Sequence, residues 1–129
     1  MINTDYDVSM LPDLLNLLKG DVLDQHRGII GMRKIVSVAD SPPIQELIDC
    51  GMVDECIRLI HAPYPQLRFE AVWTLTNIAS GTSLQTQTVV NKGGINLLVN
   101  LITDPEEAVA IQAIYALGNI TVDSTRYRD

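Results

Sequence analysis

A shift of 42 residues lays the chain on itself. Ala71-Val-Trp-Thr-Leu-Thr-Asn-Ile78 falls on Ala113-Ile-Tyr-Ala-Leu-Gly-Asn-Ile120, and Gly51-Met-Val53 falls on Gly93-Gly-Ile95. Ile57, Leu59, Ile60 and Pro63 meet Val99, Leu101, Ile102 and Pro105 without a gap. In the other direction Met10, Leu11, Leu15, Leu17 and Leu18 align with Met52, Val53, Ile57, Leu59 and Ile60. A fixed period of this length marks a stack of supersecondary units, none of which can bury its apolar face alone.

Each unit reads as helices joined by short loops. In the last, Gln85 to Lys92 is expected as a short helix closed by Gly93-Gly94, and Ile95 to Ile102 as a second. Asp104 is read as an N-cap with Pro105 at the first helical position, opening a third helix that carries Val109, Ala113, Leu117 and Ile120 on a buried stripe. Unit two predicts helices near 43–50, 52–61 and 65–80. Unit one predicts only the second and third, near 10–19 and 21–38. The expectation is an all-α solenoid of about three stacked repeats (units near 10–51, 52–93 and 94–129), the first lacking its first helix, after a poorly ordered 1–9 segment. No polar capping repeat is read after the last unit, so its apolar face is expected to be a liability for solubility or an invitation to self-association.

Composition narrows the partners. Sixteen acidic against nine basic residues give a formal charge of −7. Such a surface repels phosphate backbones and anionic membrane, and favours encounter with a cationic peptide. No apolar run approaches a membrane span, and Met1 to Ser9 is unlike a signal peptide. Cys50 and Cys56 are read as small buried thiols suited to a reducing compartment.

No catalytic constellation emerges. His26 and His61 lack ligand spacing and are expected to face solvent, so no metal is assigned. Gly93-Gly94 follows no strand and precedes no Lys, Ser80 to Ser83 follows a helix rather than a strand, and Glu106-Glu107 is a helix start. Neither an enzyme nor a cofactor is expected.

The segment Phe69 to Thr86, FEAVWTLTNIASGTSLQT, resembles the armadillo region of importin-α, the nuclear-import adaptor family. So do Gln112-Ala-Ile-Tyr-Ala-Leu-Gly-Asn-Ile120, Asp123-Ser124, Arg128-Asp129 and the Ser41-Pro-Pro-Ile44 loop. The resemblance covers roughly 10–129, as the first three repeats of that family. It implies a right-handed superhelix whose third helices line a groove holding a nuclear localisation signal in extended form. It implies that Trp73 with Asn77, and Tyr115 with Asn119, form the aromatic–Asn ladder. It further implies that Gly81, Thr86 and Asp123 form the pocket for the most tightly held lysine, and that Gln112, Ser37 and Phe69 line the groove. Passage between cytoplasm and nucleus follows from the same likeness. The family's basic segment that recruits importin-β has no counterpart in Met1 to Ser9, so no importin-β binding is expected.

Helical geometry is compatible with that ladder. Aromatic and Asn are four apart in both pairs, so each pair shares one helix face. An Asn amide carries donor and acceptor and can hold both polar groups of an extended backbone. Aromatic rings from neighbouring repeats make slots for a Lys or Arg stem and its cation. By the 42-residue offset Gly31 and Ile35 take the Trp and Asn positions of the first unit, so the ladder is expected over two repeats, not three; Ile111 and Val38 stand where the resembled family usually has an acid and a base. The competing reading is a truncated armadillo scaffold that self-associates through its terminal repeat or takes a non-basic partner.

Overall fold

The computed structural model describes residues 6–38 and 41–128, with side chains of the last helix described through residue 122. After a one-turn 3-10 helix, Val8–Met10, the helices are α1 (Leu11–Leu17), α2 (Val22–Val36), α3 (Ile44–Asp49), α4 (Met52–Ile60), α5 (Pro65–Ile78), α6 (Ser83–Asn91), α7 (Gly94–Leu101) and α8 (Glu107–Arg128). No strand occurs among the described residues. The chain is an all-α solenoid of about three repeats, the first represented by α1 and α2 alone. The long third helices α2, α5 and α8 lie side by side, α5 between the others, and α1, α4 and α7 back them.

Repetition shows in the corners as well as in the helices. Gly51 and Gly93 stand before α4 and α7 with φ of 95° and 84°, a left-handed conformation that side chains other than glycine adopt reluctantly. A Cβ at either would meet nothing within 4 Å, so glycine is there for the backbone rather than for space. The apolar stripes of neighbouring repeats then interlock, leaving Met32, Leu47, Met52, Leu59, Leu75, Ile78 and Leu98 fully buried in one continuous core.

Polar ties stitch each repeat to the next. Arg58 Nη2 donates to the carbonyl of Leu18 at the end of α1, 3.1 Å away, satisfying one of the acceptors a helix C-terminus leaves over. Arg68 grips the Asp104 carboxylate at 2.9 and 3.0 Å and also donates to Ala62 O. Burial opposes ionisation of Asp104, but the Arg68 guanidinium and the Glu106 N–H outweigh it and hold the carboxyl below the usual carboxylate range.

Helix starts differ from expectation at two places. Helix α8 begins at Glu107, not at Pro105: Asp104 accepts from the Glu106 N–H, but its carboxylate is drawn across to Arg68. Helix α6 begins at Ser83, two residues before Gln85, because Thr82 and Gln85 form a reciprocal capping box that makes Gln85 the third helical residue. Of the stretch 1–9, residues 1–5 lie outside the described part, while Tyr6 packs on the core and Asp7 caps the 3-10 turn through the Ser9 N–H. Cys56 is buried and Cys50 half-buried, both as free thiols. His61 is exposed and His26 half-buried.

Candidate functional site

The residues singled out in sequence fall along α5 and α8, at the end of α2, and in the turn after α5 and on α6. Trp73 is half-buried on α5, with Phe69 one turn earlier meeting it edge-on at 5.5 Å between ring centroids. Tyr115, the corresponding ring on α8, is 62% exposed. Asn77 Nδ2 donates to Ser37 Oγ at 2.8 Å, and Asn119 Nδ2 donates to the backbone carbonyl of Thr76 at 3.0 Å. Both amides thus reach from their own third helix to the third helix of the preceding repeat.

The Asn119 orientation is fixed by chemistry. A carbonyl can only accept, so the NH2 end of the amide must face Thr76 and the oxygen points away from it. Thr76 lies in the last turn of α5, whose carbonyls lack intrahelical partners, so Asn119 caps a neighbour's helix. Gln112 reaches the same residue through its hydroxyl, Nε2 to Oγ1 at 3.1 Å. Neither Asn77 nor Asn119 uses its side-chain oxygen in a hydrogen bond among the described residues.

The residues assigned to a lysine pocket are placed as follows. Thr86 is buried, and its hydroxyl is engaged with Ala79 O at 2.8 Å and Thr82 O at 3.1 Å. Gly81 is half-buried just after α5, where a Cβ would run into Gln85 Oε1 at 2.1 Å and Ile44 Cδ1 at 2.9 Å. The Asp123 side chain lies outside the described residues. Val38 and Ile111, standing where a base and an acid were expected, are both exposed apolar side chains.

In the first repeat the offset positions do not face α5. Gly31 and Ile35 do not stand in the ladder: Ile35 is buried, and Gly31 lies under Leu14 and Tyr6, whose atoms would be 2.6 and 3.0 Å from a Cβ. The side chains that face Trp73 and Asn77 are Arg33 and Ser37, two residues further on. The 42-residue offset matches helix ends, but Ile35 and Met32 are claimed by the core, and the face of α2 turned to α5 is set by that claim.

Sequence reasoning missed three contributors: Arg33, Glu70 and Thr76. The Arg33 Cζ lies 4.2 Å from the Trp73 ring centroid, and its guanidinium holds Glu70 through Nε–Oε1 at 2.8 Å and Nη2–Oε2 at 3.3 Å. A signal existed, since Arg33 and Ser37 repeat the four-residue spacing of Trp73 and Asn77.

Residues 40–80 and 82–122 match the armadillo/beta-catenin-like repeat, together well over half the chain. The chain belongs to this armadillo repeat family. Among curated proteins this armadillo chain is 49% identical to importin subunit alpha-1b of Oryza sativa subsp. japonica over 98 residues, 75% of the chain and 18% of that protein. It is 36% identical to the probable importin subunit alpha-A of Dictyostelium discoideum over 125 residues, 93% of the chain and 23% of that protein. The chain thus spans about a fifth of the length of such relatives. A designed armadillo repeat protein solved in complex with peptide (KR)4 superposes with a TM-score of 0.79 at 29% identity, over 86% of this chain and 46% of that one.

Proposed function

We propose that this armadillo chain binds extended, lysine-rich peptides of the nuclear localisation signal type along the face shared by α2, α5 and α8, as part of import between cytoplasm and nucleus. The observation that carries the reading is the matched placement of Asn77 and Asn119. Each amide is anchored through its nitrogen to the preceding repeat and keeps its oxygen for a ligand's backbone N–H. Exposed Tyr115 flanks that line with aromatic surface on which a cationic stem can lie, while Trp73 is half-buried with Arg33 over its ring. The net charge of −7 assists encounter with a basic ligand. The likeness to importin-α subunits and to a designed protein bound to (KR)4 points the same way.

The test uses the single tryptophan of the chain. A lysine-rich localisation-signal peptide is titrated while Trp73 emission is followed at two salt concentrations. A saturable change that weakens with salt and is lost in the Asn77→Ala, Asn119→Ala double variant supports the reading; no heat of binding in calorimetry at millimolar peptide overturns it.

A second reading is favoured by the exposed apolar side chains Val99 on α7, Ile102 just after it and Ile114 on α8, which suit self-association. Sedimentation as a strict monomer at micromolar concentration removes it.

A further inference from the structure

One face of Trp73 already carries a cation, and it belongs to the chain. Arg33, from the preceding repeat, lies over the indole at 4.2 Å, within the range in which a guanidinium is attracted by the ring quadrupole. It is held there by two contacts to Glu70, one turn before Trp73 on the same helix. The Arg33 and Glu70 side chains are only 19% and 11% exposed, so this is a sheltered pair rather than a loose surface contact. The next residue of the same row, Ser37, accepts from Asn77.

We propose that Arg33 is a resident occupant of the cation slot between the first and second repeats, and that it sets where on the groove a basic side chain can enter. The slot has the parts a ligand lysine or arginine would need: an aromatic face and a carboxylate directed at the cation. Arg33 fills it from inside. A peptide cation must therefore displace a bidentate ion pair to use this face of Trp73, whereas exposed Tyr115 has no comparable cation over its ring among the described residues. The groove accordingly takes its basic side chains on the Tyr115 side, and Arg33 marks the boundary of the usable register. This extends the peptide-binding reading, but the slot can be tested without any peptide.

Two measurements decide it. In Arg33→Ala, ethylguanidinium at millimolar concentration should restore thermal stability and alter Trp73 emission, while leaving the unsubstituted chain unaffected. Adding Glu70→Gln to Arg33→Ala should abolish that rescue, because the slot then lacks its counter-charge. A merely structural Arg33 predicts equal rescue, or none, in both variants, and either result overturns the proposal. In the second measurement, an oligolysine peptide should bind Arg33→Ala about threefold to tenfold more tightly than the unsubstituted chain and with a steeper salt dependence. Weaker or unchanged binding overturns the boundary role. Should Arg33→Ala fail to fold, Arg33→Lys serves, since an ammonium lacks the bidentate grip and yields the slot more readily, giving a smaller gain; no gain counts against the proposal. Absence of peptide binding in the unsubstituted chain would sink the peptide reading alone, with ethylguanidinium still reporting on the slot.

Discussion

Asn119 donates from its side-chain amide to the backbone carbonyl of Thr76, one repeat back, at 3.0 Å. The bond joins two third helices and closes an acceptor that the end of α5 leaves open. Asn119→Ala should therefore cost about 1 kcal/mol of stability in urea unfolding, on top of any effect on ligand. Ser37→Ala removes an exposed hydroxyl partner of Asn77 and should stay within about 0.5 kcal/mol. Equal losses in the two variants would show that the bonds do not differ as their burial suggests.

The Arg68–Asp104 pair should make stability depend on acid pH. The folded state holds the Asp104 carboxyl below its ordinary range, so the unfolded chain takes up the proton first as pH falls. The contribution is complete above the unfolded value of about 4 and is lost as pH drops through the lower folded value. Asp104→Asn should remove that dependence and destabilise the chain at neutral pH by about 3 kcal/mol, because Arg68 is left in a mostly buried setting without its counter-charge. Unfolding midpoints across pH 2 to 7, with and without the substitution, measure both.

Two helical glycines should respond to alanine with opposite signs. At Gly28 a Cβ would lie 2.9 Å from the Leu14 carbonyl oxygen and 3.1 Å from Leu17 Cβ, so α1 must move away from α2. Gly28→Ala should cost about 1–3 kcal/mol despite the better helix propensity. At Gly118, in α8, nothing lies within 4 Å, and Gly118→Ala should gain about 0.5–1 kcal/mol. Thermal unfolding of the two variants reads the difference directly.

Thiol chemistry should separate native from unfolded chain. Desolvation by burial pushes the Cys56 thiol far above its ordinary pKa, and Cys50 is raised for the same leading reason. Ellman's reagent at pH 8 should therefore modify Cys56 only in denaturant. Prompt reaction of both thiols in buffer would contradict the packing around α4.

The repeat and the helices were legible because both rest on local pattern: apolar stripes, Gly51 and Gly93 at the corners, and Pro65 at the start of α5. What escaped depends on how one helix is rotated against another. Arg33 and Glu70 are 37 positions apart, and nothing in either neighbourhood names the other. Gly31 and Ile35 sit at the correct offset yet turn inward, since the core claims Met32 and Ile35 and so fixes which side of α2 faces α5. Asp104 read as a simple cap because its bond to the Glu106 N–H is local, while its larger role, held by Arg68, spans 36 positions.

The corners at Gly51 and Gly93 have a consequence for how such a chain can change. Each bend is written into φ and leaves empty space where a side chain would stand. The turn into α4 and into α7 thereby depends on the glycine itself rather than on neighbouring side chains making room for it. A β-branched residue at either position is strained in that left-handed conformation even though space for its Cβ exists, so the entry angle of α4 or α7 is what such a substitution should disturb.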